Sequence, residues 1–126
     1  MKDVAGEIGL ERVGQVVADF YAAVREHPTL KTPFARVTDW EHHERILTHF
    51  WWGTLGGARY MEYQYRVAER HMTAGFTPAL LEDWHGLFAG IVQASLPAEL
   101  AEAWLERARN IGTSLVMMHG WHTSQT

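Results

Sequence analysis

Histidine is the residue through which this chain could do most of its chemistry. It occurs eight times in 126 residues, and cysteine not at all. Without cysteine there are no disulfides, thiolate zinc sites, iron–sulfur clusters, Cys nucleophiles or thioether-attached prosthetic groups. Imidazoles, carboxylates, tyrosines and tryptophans remain. His27, His42, His119 and His122 fall at helix ends or off the apolar stripes and read as solvated surface residues. His49 and His85 flank apolar stripes as surface or boundary positions. His43 lies on a stripe with Ile46, Leu47 and Phe50, so its imidazole should point inward, as a satisfied core histidine or a ligand-facing one. His71 follows the polar run Tyr65 to Arg70 and, taken alone, is a helix C-terminal histidine favourable to the dipole.

Two aromatic residues with polar handles stand mid-stripe: Tyr21 between Phe20 and Val24, and Trp84 between Leu81 and Leu87. A buried hydroxyl or indole N–H needs a hydrogen-bond partner, and neither segment offers one nearby in sequence; a bound ligand is one candidate. Metal motifs fit poorly. A di-iron bundle wants two Glu-x-x-His pairs, but only Glu82-x-x-His85 has that pattern, with Asp39-x-x-His42 a weak second. The chain contains no His-Glu-x-x-His, no Gly-rich phosphate loop and no Gly-x-Ser-x-Gly elbow, which places hydrolases and nucleotide enzymes low.

The elements that position these residues are helical. Val13, Val16, Val17, Phe20, Tyr21 and Val24 recur at helical steps in a segment expected from about Glu7 to Glu26, stopped by His27-Pro28. Thr38-Asp39-Trp40-Glu41 has capping-box spacing, which opens a helix at Thr38 that runs to Gly56-Gly57. Residues 58–71 are ambiguous. Thr77-Pro78 starts the next helix, with Leu81, Trp84, Leu87, Phe88 and Ile91 in step, and Leu96-Pro97 breaks it. A last helix, with Leu100, Trp104, Leu105, Ala108, Ile111 and Leu115 on one side, should end near Met118. No strand-like alternation or repeat occurs. The expectation is an all-α domain spanning residues 1–126, with four substantial helices and a weaker fifth segment.

Composition agrees with one domain and one core: 47% of residues are hydrophobic and 12% aromatic. Eleven Lys and Arg against fifteen Asp and Glu give a net charge of −4, which argues against a nucleic-acid or anionic-membrane surface. The N-terminus has no apolar run of signal-peptide length, and no window approaches a membrane span, so the expected location is cytoplasmic.

Taken together, the motifs resemble the truncated haemoglobins, specifically group III, over nearly the whole chain. Phe20-Tyr21-Ala22-Ala23-Val24 resembles the family's second helix, with Tyr21 at the distal tyrosine position. Trp40-Glu41-His42-His43 and His49-Phe50-Trp51 resemble its E-helix signature, a Trp three before the distal histidine and a Phe-Trp pair seven and eight after, which sets His43 there. Trp84-His85-Gly86-Leu87-Phe88 is similar to the G-helix run, with Trp84 at the distal tryptophan. Arg107-Ala108-Arg109-Asn110-Ile111 is similar to the Arg-Ala-x-x-Ile stretch of the last helix. The alignment puts His71 at the proximal position and Phe34 at the start of the CD region, where globins press a phenylalanine on the porphyrin. The chain departs from the family where Tyr60 is followed by Met-Glu-Tyr-Gln-Tyr in place of Tyr-x-Gly-x-Pro; His71 is still the one histidine between Tyr60 and Trp84.

The resemblance implies a two-over-two helical sandwich around haem b, ligated through iron by His71 and contacted by Phe34, Leu47, Phe50 and Ile111, with Arg70 available to a propionate. Tyr21, His43 and Trp84 would form a distal pocket for O2, NO or CO. Three functions follow from it: reversible diatomic-ligand binding; NO dioxygenation or peroxidase-type chemistry in the same pocket, with a reductase as partner; or a haem-free helical partner-binding domain. The expected assembly is a monomer or weak homo-oligomer.

Overall fold

The computed structural model describes residues 3–35, 37–61 and 77–125, with side chains to residue 112 in the last helix. The helices are α1 (Val4–Ile8), α2 (Leu10–Glu26), α3 (Trp40–Thr54), α4 (Pro78–Ser95) and α5 (Ala98–Gln125), and no strand occurs among the described residues. The pairs α2/α3 and α4/α5 pack most extensively, and they meet chiefly where α2 crosses α4, a two-over-two arrangement with α1 wedged against α2 and α5. The weak segment expected over 58–71 lies largely outside the described residues.

Helices α1, α3 and α4 start where a side chain satisfies a free N–H group, whereas α2 starts at Gly9 with no side-chain cap. Asp3 caps α1 by accepting from Gly6 N–H at 2.9 Å, and Thr77 caps α4 by accepting from Leu80 N–H at 3.2 Å, with Pro78 in the first turn. Leu96 ends α4 in extended backbone before Pro97, as the sequence predicts.

Three boundaries differ from the expectation. The first helix is two helices, because Gly9 takes φ +89°, a conformation that costs glycine little and interrupts the helical path. The cap of α3 is Asp39, not Thr38: its carboxylate accepts from His42 N–H at 3.1 Å, and a negative group there also suits the helix dipole. The last helix continues to Gln125, since nothing after Ala98 removes a backbone donor and the glycines weaken a helix without having to end it.

One core runs through these helices. Val13, Val16, Val17, Phe20 and Val24 of α2 meet Ile46, Leu47 and Trp51 of α3, Leu81, Trp84, Phe88 and Val92 of α4, and Ala101, Trp104, Leu105 and Ala108 of α5. No buried polar or charged residue occurs among the described residues. His27, expected to be solvated, instead braces the turn after α2, where Nδ1 accepts from the N–H groups of Thr29 and Leu30, each at 3.2 Å. Thr29 in turn donates its hydroxyl to Asp83 at 2.8 Å, tying the end of α2 to α4. The turn that carries Phe34 is set by this lock and by Leu30, which is fully buried.

Candidate ligand pocket

The inward face of α3 presents His43, Leu47 and Phe50 at helical steps, and α2 presents Tyr21 to it. The His43 ring is bounded by three aromatic edges: Tyr21 with centroids 4.9 Å apart and planes at 79°, Trp40 at 5.6 Å and 85°, and Phe34 at 6.3 Å and 71°. Tyr21 also meets Phe34 at 5.7 Å and Trp40 at 5.8 Å, so the four rings form a continuous group. His43 Nε2 is buried, and Tyr21 is 4% exposed. Edge-to-face contacts of this kind add about 0.5–1.5 kcal/mol per pair beyond area burial. The His43 imidazole is therefore held in one orientation by apolar walls.

Trp84 belongs to a second aromatic group. It stacks on Phe88 at 4.8 Å, and Trp51 stacks on Phe88 at 5.3 Å. Phe20 joins the two groups, with its ring 5.0 Å from Tyr21 and 5.2 Å from Trp84, both edge-on. Leu47 is buried on α3, Phe50 is half-buried with its ring edge on Trp51 at 5.0 Å, and Ile111 is half-buried on α5 against the core. Of the residues singled out from sequence, Tyr21, Phe34 and His43 are thus brought together, and Trp84 reaches them through Phe20. His71 and Arg70 lie outside the described residues.

Several contributors carried no signal in the sequence. Arg25 lies over the Trp40 ring, 4.6 Å from its centroid, and reaches Glu44 at 3.9 Å, so a cation covers the outer face of the aromatic group. Burial pushes the Glu44 carboxyl above the usual carboxylate range, partly offset by Arg25. His49 Nε2 accepts from the N–H groups of Tyr60 at 3.3 Å and Met61 at 3.4 Å, which fastens the chain after α3 to that helix. Only Phe20 could have been found, since it adjoins Tyr21 on the same stripe. The other contacts join residues too far apart in sequence for any helical spacing to signal.

A groove of about 320 Å³ lies on the opposite side of α3, lined by Gly14, Glu41, Glu44, Arg45, Thr48, Tyr60 and Met61. It shares no residue with the aromatic group around His43. Among the described residues no three His, Asp or Glu side chains come together to hold a metal ion, and no helix is long and apolar enough to cross a membrane.

Comparison with known proteins gives one match. A family model for bacterial-like globins matches residues 4–116. No curated protein and no solved structure matches the chain. With a family model spanning α1 to the middle of α5, and with paired helices enclosing a histidine among aromatic rings, the chain belongs to the bacterial-like globin family.

Proposed function

We propose that this globin is a group III truncated haemoglobin that binds haem b non-covalently through His71 and reversibly binds O2, NO and CO beside Tyr21, His43 and Trp84. The observation that carries the reading is the His43 imidazole, enclosed by the edges of Tyr21, Phe34 and Trp40 in a chain of the globin family.

The described residues suit a flat apolar macrocycle. They contribute no buried charge, and half-buried Phe34, Phe50 and Ile111 leave apolar surface that such a ring would cover. When bound, haem supplies an iron centre at which a diatomic ligand can coordinate. The chain supplies the rest. His71 would hold the iron through one ring nitrogen, with its other N–H donating to a backbone carbonyl of its own segment to fix the tautomer. Arg70 would pair with a propionate.

On the other face, Leu47 and Phe50 exclude water. Tyr21 O–H and Trp84 N–H are donors in a dry setting, 4% and 8% exposed, so bulk water cannot compete strongly for them. His43 lines the same space as a gate or third polar contact. A diatomic that takes on negative charge when bound, as O2 does, would gain from these donors, while CO, a poorer acceptor, would gain less. The same reading puts the protein in the cytoplasm as a monomer or weak homo-oligomer.

Titration of hemin into the purified protein tests this. The expected result is a Soret band that saturates at one equivalent and, after reduction, shifts reversibly with O2 and with CO. A folded protein that stays colourless through excess hemin overturns the proposal.

A further inference from the structure

Trp84 and His85 are consecutive on α4, so their side chains leave the helix about 100° apart. Trp84 faces the aromatic core, and His85 faces α5. There it fits a notch made by the missing side chain of Gly112. A Cβ at that position would overlap His85 Nε2 and stand 3.2 Å from both Cδ2 and Cε1, so the ring can occupy the space only because residue 112 is glycine. The imidazole is half-buried, and its ring stands edge-on to Trp84, 5.3 Å away at 88°. Burial, reinforced by Arg109 on α5, pushes its pKa below the usual histidine range, which keeps the ring neutral at neutral pH. Arg109 itself is engaged by the Glu102 carboxylate.

Besides His85, Trp84 meets Phe20 edge-on at 5.2 Å and 70°, and its two stacked contacts do not fix its in-plane angle. Its face lies on Phe88 with planes at 18°, and on Trp51 at 6.2 Å and 27°. Stacked rings slide and turn in plane at small cost, because the interaction has no directional donor. A rigid ring inserted into a backbone notch resists rotation of the helix, since any turn of α4 drives it into the wall of α5.

We propose that His85, keyed into Gly112, is a positioning residue for Trp84. It sets the rotation of α4 about its own axis and so the direction in which the indole N–H is presented. This rests on the reading of Trp84 as a donor to the bound ligand.

The test compares wild type, His85→Ala, Gly112→Ala and the double variant, with far-UV circular dichroism to establish that each is helical. In the apoproteins, His85→Ala is expected to change the near-UV tryptophan band. In the hemin-loaded, reduced proteins it is expected to shift the C–O stretch of the CO adduct and to speed O2 dissociation at least about threefold, the partial loss of one hydrogen bond. Gly112→Ala should do the same when His85 is present and add nothing further once His85→Ala is in place.

If His85→Ala lowers the Tm but leaves the near-UV band, the C–O stretch and the off-rate at wild-type values, the residue is structural only and the proposal fails. Should Gly112→Ala not fold, His85→Ala alone decides. A wild-type protein that takes up no hemin refutes the pocket reading, and the apoprotein band then reports separately whether His85 holds Trp84.

Discussion

Replacing Tyr21 by Phe removes one oxygen atom and leaves the ring contacts in place. Those contacts are to Phe20, Phe34, Trp40 and His43, at 5.0, 5.7, 5.8 and 4.9 Å between centroids. The ring packing is kept, whereas the donor disappears. The residue is 4% exposed, so water cannot readily replace the hydroxyl. A hydrogen bond to a charge-bearing acceptor contributes about 1.5–3 kcal/mol. If the loss appears wholly in the off-rate, O2 should leave roughly ten to a hundred times faster, since 1.4 kcal/mol is about a factor of ten. CO, which draws less on the donor, should change far less. Stopped-flow displacement of O2 by excess CO measures the first quantity and displacement of CO by NO the second. An O2 off-rate unchanged in Tyr21→Phe, with helicity intact, would refute the assignment of Tyr21 to the ligand.

His71→Ala is expected to lose haem or bind it far more weakly; full stoichiometry with an unshifted visible spectrum would remove His71 from the iron. Phe88→Ala strikes the centre of the aromatic core, where a residue 1% exposed touches Phe20, Trp51, Trp84 and Trp104. Chemical denaturation should show a loss of about 3–5 kcal/mol, and a loss under about 1 kcal/mol would contradict the packing. His85 gives a pH dependence: burial and Arg109 lower its pKa from 6.5, so the unfolded chain binds the proton more readily than the fold does. Its contribution to stability is present above about pH 6.5 and is lost as pH falls below that value, and His85→Gln should flatten this acid limb in a Tm-versus-pH series.

Much of the fold was legible because helices advertise themselves locally. The Thr77-Pro78 start of α4, its end before Pro97 and the apolar stripe of α2 all depend on residues within a turn of one another. Boundaries set by competition were less so. Thr38 and Asp39 can both cap a helix, and the choice between them rests on Asp39 accepting from His42 N–H. Gly9 gave no sign in the periodicity that it would divide one helix into two.

The same division holds at the site. That Tyr21, His43 and Trp84 point inward follows from spacing, because on a helix the face is determined by the residue number modulo the turn. Which inward residues meet depends on where α2 crosses α3 and α4, and that crossing is decided by the packing of all the buried side chains together. Hence only the tertiary structure could bring Phe34 against His43, lay Arg25 over Trp40, insert Phe20 between Tyr21 and Trp84, and seat His85 against Gly112. The chain's own periodicity determined the chemistry that faces inward, and the close packing of distant segments decided which of those groups stand within reach of one another.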